Sequence, residues 1–345
     1  MSRERLVYLD YLRVFSAFAI IVLHVAGQNW NKVDVNSGTW IVFEIFDSIV
    51  QWGVPIFFMI SGTLFLDKDI SIKKIYSKYV LRLLVSFCVW SIVYVALSDQ
   101  ALSWCDRLSE FISGHYHMWF ILVLMGLYMC IPFLRPIVQS KKTTIYFLVL
   151  ALIVSFIIPE INTILKDFGN EQITNIFEMI TRIINNLGIV SWYAGYFVLG
   201  YVLNRINISK KVRFILYSVG VLGALFTIIM TLIVSIKTQT ASNSYYIWFN
   251  VNIMIQAIAV FVFFKYKEYK SEKVNAIIQK LSKYSYGVYL IHLIFLEKLD
   301  TIFGINTLSF NPILSVVLIS VIVYAISLII SAILNNIPII NRYIV

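Results

Sequence analysis

What most limits this chain is the length of its apolar blocks. Runs of roughly 17 to 25 residues recur along it, which is what a helix needs to cross a hydrocarbon core. They are read as spans near Val7–Ala26, Trp40–Leu66, Val80–Leu97, Met118–Leu134, Thr143–Ile158, Val190–Leu203, Phe214–Ile236, Ile247–Phe264, Tyr284–Leu296 and Pro312–Leu334. Backbone groups facing lipid have no water to bond, so each span must be helical. Only 13% of the 345 residues are charged and 60% are hydrophobic, with a mean hydropathy of +0.83. That leaves too little charge to coat a soluble domain. The expectation is an all-α, polytopic integral membrane protein of about ten transmembrane helices. It forms a single membrane domain over residues 1–345, with no soluble domain. The second span is long enough to break, and Pro55 removes a helix bond to the carbonyl of Gln51.

The net charge of +10 raises the question of nucleic acid, and its distribution answers it. Six of the 28 cations fall on one side of the expected spans: Lys32, Arg107, Lys166, Arg182, Lys237 and Lys298. Arg13 lies inside a span. The rest, from Arg3 and Arg5 through Lys68, Lys73, Lys141 and Lys211 to the Lys265–Lys283 run and Arg342, fall on the other side. This is the positive-inside bias, which makes both termini cytoplasmic. The basic charge orients the chain and touches anionic lipid, and nucleic acid is not needed to explain it. The first apolar segment carries Asp10 and Arg13, with no small-x-small cleavage site, so it does not read as a removable signal peptide. Cys88, Cys105 and Cys130 show no metal or redox spacing.

Charge inside a membrane is expensive, which makes each such residue a functional candidate. Arg13 and His24 are eleven residues apart, so they share one helix face and lie roughly 16 Å apart along its axis. Asp10 sits one turn from Arg13, where it can pair with it. Taken singly, Arg13 also reads as a side chain snorkelling to the headgroups and His24 as a packing residue. The shared face favours a joint role.

Four blocks carry a resemblance. The first runs Tyr8-Leu9-Asp10-Tyr11-Leu12-Arg13 and on to Ala19-Ile20-Ile21-Val22-Leu23-His24. The others are Val54-Pro55-Ile56-Phe57-Phe58-Met59-Ile60-Ser61-Gly62, His117-Met118-Trp119-Phe120-Ile121 and Tyr284-Ser285-Tyr286-Gly287-Val288-Tyr289-Leu290-Ile291-His292. In this order they resemble the membrane acyltransferase type 3 family over essentially the whole chain. The resemblance implies a ten-helix domain in a bacterial cytoplasmic (inner) membrane. It implies transfer of an acyl group, usually acetyl from acetyl-CoA, to a hydroxyl of an envelope or lipid-linked glycan. Members often carry two arginines at the start of the third helix; here only Arg82 matches, with Lys78 as a substitute charge.

Such chemistry needs a base for the acceptor proton and donors for the developing oxyanion. His24 suits the base role because an imidazole ordinarily titrates near neutrality, although it can also accept the acyl group itself. Arg13, Arg82 and Lys78 suit the phosphates of acyl-CoA, and the arginine fork binds phosphate oxygens in pairs. The resemblance makes acyl-CoA the expected donor substrate, and no bound cofactor is expected. The Arg13–His24 separation resembles the reach of an extended pantetheine arm.

Glu44, Asp47 and Gln51 fall at i, i+3 and i+7 near the level of His24, as acceptor-binding or imidazole-orienting groups or as simple helix-start charges. Ser285, Tyr289 and His292 form a stripe that reads either as a cavity wall or as interhelical hydrogen bonding. His117 and Trp119 belong to a family-like block, though Trp119 also reads as an interfacial anchor. His115 and His117 invite a zinc reading, but two ligands at i, i+2 make a poor site, and no metal is expected. Between Pro159 and Gly188, residues Ile173, Ile176, Phe177, Ile180, Ile183, Ile184 and Leu187 keep helical spacing, predicting an amphipathic helix at the outer interface. The Lys265–Lys283 run reads as a solvated, lipid-facing surface.

An O-acyltransferase is the leading expectation. A transporter or flippase of an amino acid or lipid-linked sugar is the alternative, since polar groups in a bundle also mark permeation paths. A purely structural membrane partner comes third and explains the Arg13–His24 pair worst. With no hydrolase-like domain after the last span, the bundle completes both half-reactions or a separate extracytoplasmic protein accepts the acyl group.

Overall fold

The computed structural model describes residues 6–98, 103–186 and 192–345, and the regular structure among them is all helical. Arg3, Arg5, Leu187, Gly188 and Val190, which entered the expectations above, lie outside the described residues. Seven helical segments are long and apolar enough to cross a membrane. These are Val7–Gly27, Gly38–Phe65, Ile72–Leu97, Trp104–Gln139, Lys141–Phe168, Lys210–Thr238 and Pro312–Asn335. The other three expected spans fall in Trp192–Arg205 (14 residues), Val251–Tyr266 (16 residues) and Glu272–Phe303 (32 residues). The first two are short for a crossing. The third has an apolar middle between charged turns.

Val7–Gly27 is the most buried of the seven segments. It packs against Gly38–Ser48, Gly53–Phe65, Val251–Tyr266, Glu272–Phe303 and Pro312–Asn335, so neighbours surround it on most sides. Its buried residues run round the helix rather than along one stripe, as a central position requires.

The second span is two helices. Gly38–Ser48 starts on Ser37, whose hydroxyl accepts from the Trp40 N–H at 3.1 Å, and Gly53–Phe65 follows after a turn. In the turn, Trp52 Nε1 donates to the Ile49 carbonyl at 2.7 Å. The break precedes Pro55 rather than falling on it. A proline ring is compatible with the first turn of a helix, where its missing N–H has no intrahelical partner, so the chain restarts just ahead of it. The fifth span also differs from its expected bounds. Helix continues from Lys141–Ala151 through a wider π-type turn, Leu152–Ile157, into Ile158–Phe168, with Pro159 in the first turn of the last piece. The wide turn accommodates a residue without an N–H, and helix replaces the connection expected to begin at Pro159.

Gly53–Phe65 crosses Trp192–Arg205 at unusually close range. A Cβ on Gly62 would collide with the Phe197 carbonyl, and one on Gly200 with the Met59 backbone. Thr63 Oγ1 ties the crossing with a 2.9 Å bond to the Gly200 carbonyl. Beyond it, Glu171–Asn186 forms the amphipathic helix the spacing predicts and packs on Ile158–Phe168, with Lys166 paired to Glu178 at 3.0 Å. Its Ile173, Ile176, Ile180 and Ile183 are exposed, a hydrophobic face turned away from the protein.

Candidate functional site

Two cavities adjoin the central helix. The larger, about 650 Å³, is lined by Arg13, His24, Ser61, Arg82, His117, Trp119, Lys283, Ser285 and Tyr289 among mostly apolar neighbours. Arg13 and His24 therefore line one space, at levels roughly 16 Å apart on a straight helix. The smaller, about 420 Å³, is lined by His24, Gln28, Lys32, Asp47, Tyr116, Glu297, Asp300 and Thr301. His24, Leu23 and Tyr116 line both, and among the described residues no hydrogen bond occupies the ring nitrogens of His24.

The lower level is basic. Asp10, which is buried, accepts from Arg13 Nη1 at 3.2 Å and from the Ser282 hydroxyl at 2.8 Å, orienting the guanidinium. Arg82 Nη2 donates to the backbone oxygen of Val345 at 2.5 Å, and its guanidinium lies 5.7 Å from the Tyr286 ring. Lys78 is exposed beside Tyr79 and does not line the cavity. Lys283, assigned from sequence to a lipid-facing run, does line it. The Glu272–Phe303 helix begins well before the expected span, and that extension carries Gln279, Ser282 and Lys283 to the cavity.

The upper level gathers every histidine of the chain, His24, His115, His117 and His292. Ring centroids are 5.2 Å apart for His24 and His292, 5.4 Å for His117 and His292, and 5.2 Å for His115 and His117. Tyr94 stacks on His115 at 4.2 Å, and the Tyr289 hydroxyl donates to the His117 carbonyl at 2.7 Å. His292 Nδ1 lies 2.7 Å from the Tyr289 carbonyl. A carbonyl only accepts, so that nitrogen carries the hydrogen, and in the neutral ring Nε2, buried without a partner, is bare. Close as the rings are, no group of three His, Cys, Asp or Glu side chains among the described residues could hold a metal ion. Trp119 stacks on Trp248 with 4.7 Å between centroids, and both line the large cavity.

Of the three polar residues of the broken helix, Asp47 reaches the smaller cavity and accepts from Gln51 Nε2 at 2.8 Å. Glu44 is fully buried and accepts from the Ser48 and Tyr246 hydroxyls at 2.9 and 2.8 Å. Burial first, then the nearby Asp47 and Glu44 carboxyl groups, hold the Tyr246 phenol well above its ordinary range, so it stays a donor. Neither Glu44 nor Gln51 lines either cavity; they brace the wall behind Asp47.

No curated protein and no solved structure matches the chain. The family model described as an acyltransferase domain matches residues 6–332, nearly the whole sequence and all four blocks quoted above. The chain is thus a membrane acyltransferase by family and belongs to the acyltransferase type 3 family.

Proposed function

We propose that the protein moves an acyl group, acetyl in the simplest case, from acyl-CoA to a hydroxyl of an envelope or lipid-linked glycan. The observation that carries this reading is His24 at the junction of two unlike cavities, one long, apolar and basic at its lower level, the other polar. A long donor with phosphates at one end and a thioester at the other suits the first. Arg13, Arg82 and Lys283 would hold the phosphates, with the arm rising past Ser61 and Tyr128 to the histidines. Gln28, Lys32, Asp47, Asp300 and Thr301 offer the mixed donors and acceptors that hydroxyl groups require.

In this reading His24 takes the proton of the acceptor hydroxyl as its oxygen attacks the thioester carbonyl. The C–S bond then breaks and coenzyme A leaves. General-base action of this kind contributes about 100- to 10,000-fold. The donor reaches its cavity from the cytoplasmic side of a bacterial inner membrane, the side carrying most of the cations.

Purified protein is given radiolabelled acetyl-CoA and candidate lipid-linked glycans. Label appearing in a glycan supports the reading. No label in any acceptor, with passage of an amino acid or lipid-linked sugar across liposomes, replaces it with transport.

A further inference from the structure

His117 is nine-tenths or more buried, lines the large cavity, and its Nε2 has no hydrogen-bond partner. Its other nitrogen is not free. His117 Nδ1 lies 3.0 Å from His115 Nδ1, and His115 Nε2 lies 3.1 Å from Glu297 Oε1. Glu297 lines the smaller cavity and is about half exposed, its side chain at 45%. A hydrogen-bonded chain of three side chains therefore begins in one cavity and ends in the other.

The hydrogens in this chain are set by simple rules. A carboxylate only accepts, so His115 Nε2 carries a hydrogen towards Glu297. If His115 is neutral, its Nδ1 is bare, His117 Nδ1 is the donor, and His117 Nε2 is bare. If His115 is charged, its Nδ1–H donates to His117 Nδ1, and His117 Nε2 carries the hydrogen into the large cavity. Moving between these states adds or removes one proton at His117 Nε2, while the charge appears or vanishes on His115.

The geometry points to a relayed proton donor, in which Glu297 and His115 let His117 Nε2 protonate the thiolate that leaves in the large cavity. This rests on the acyl-thioester reading above. A thiolate released among apolar walls has lost its hydration, and an unpaired buried charge is costly. Protonation removes that cost, and the relay keeps the donor's own charge beside Glu297 at the polar cavity. The balance closes. As the C–S bond breaks, the His117 Nε2–H bond breaks and S–H forms. The His115 Nδ1 hydrogen passes to His117 Nδ1, and His115 becomes neutral. His24 holds the proton taken from the acceptor hydroxyl, and returns it to His117 Nε2 across the cavity both residues line, which recharges His115. His117 is the group that meets sulfur; His115 and Glu297 are positioning residues. The titratable groups packed around the pair are Tyr94 and Tyr116 against both rings and Tyr289 and His292 against His117, with His24 behind them against Tyr116 and His292.

Nitrogen-15 histidine spectra of the full chain test the relay without any reaction, since four imidazoles give a readable spectrum. On acidification His117 should change from the Nδ1–H to the Nε2–H tautomer in step with protonation of His115. In Glu297→Gln that joint change should disappear over the same range. A His117 tautomer indifferent to the state of His115, or unaffected by Glu297→Gln, overturns the relay.

Kinetics give the second arm. Glu297→Gln and His117→Gln should slow transfer from acyl-CoA by about 100-fold, the lower end for proton transfer by a positioned group. They should slow it far less from a thioester of an electron-poor aryl thiol, whose thiolate needs no proton. Equal slowing with both donors overturns the assignment to the leaving group. Should the unaltered protein transfer from neither donor, the acyltransfer reading fails, and the spectra alone decide the relay.

Discussion

Arg13 and His24 lie eleven residues apart on one helix and line the same cavity, with Arg13 held by the buried Asp10 at 3.2 Å. A guanidinium fixed in this way presents a planar fork rather than a mobile point charge. Arg13→Lys keeps the charge and loses the fork, so acyl-CoA binding should weaken by about ten- to a hundred-fold, the worth of one charge-assisted hydrogen bond. Calorimetry with a non-hydrolysable acyl-CoA analogue checks it. Unchanged donor binding together with loss of acceptor affinity would assign Arg13 to the other substrate.

His24→Gln should leave folding, membrane insertion and acyl-CoA binding intact while reducing transfer by about 100- to 10,000-fold. The amide can hydrogen-bond but does not accept a proton near neutrality. A much larger loss, with label trapped on the unaltered enzyme in the absence of acceptor, would identify an acyl-histidine intermediate. Retention of most activity would make the ring structural.

Gly62→Ala and Gly200→Ala should each lower the thermal midpoint in detergent, because the added Cβ meets backbone that a side-chain rotation cannot clear. Overpacking of this kind costs about 1–3 kcal/mol. Gly126→Ala, where nothing lies within 4 Å of the added carbon, is the control and should leave the midpoint unchanged or slightly higher. Equal behaviour of all three variants would contradict the close crossing.

Tyr246→Phe removes a 2.8 Å donor from the fully buried Glu44 and leaves it only Ser48. Leaving a buried polar group short of a partner costs about 1–3 kcal/mol, and stability should fall by that order. Glu44→Gln with Tyr246→Phe should cost less than the two single changes added together. Strict additivity in that double-mutant cycle would show that the contact carries no coupling.

Thiol labels placed near Lys141 or Lys270 in a cysteine-free background should react from the cytoplasm, and labels near Thr163 or Gln239 from outside. The crowding of cations on one side motivates this orientation. The opposite pattern at both pairs would reverse the donor's route.

The parts of the site that follow from one helix were legible in the sequence. Asp10, Arg13 and His24 share a helix, and helical arithmetic alone puts them on adjoining lines. Convergence of His115, His117 and His292 on His24 was not legible, because it depends on how the Glu272–Phe303 helix packs against the first and on the Tyr289–His117 bond that brings the turn before Trp119 to it. No local period encodes that. The signal available was scarcity: the chain has four histidines, and each falls at the edge or within an apolar run. Lys283 and Glu297 escaped notice for a related reason. The charged turns flanking an apolar middle look like surface, yet the helix is 32 residues long and carries one of them to each cavity. The helix breaks were half legible. Pro55 and Pro159 announce a disturbance, but where the chain restarts depends on which carbonyls the surroundings can satisfy.

The Gly62–Gly200 crossing also bears on how this scaffold can diversify. Val54, Phe57, Ile60, Ser61 and Leu64 form one wall of the large cavity, and the crossing locks that wall against its neighbour, backbone to backbone. Such a wall has no slack to trade for a longer acyl chain. Tolerance for a bulkier donor would therefore have to evolve on the other helices, at Leu83 and Leu124, where side chains rather than backbone set the width. A selection for longer-chain transfer should return changes there and leave both glycines untouched.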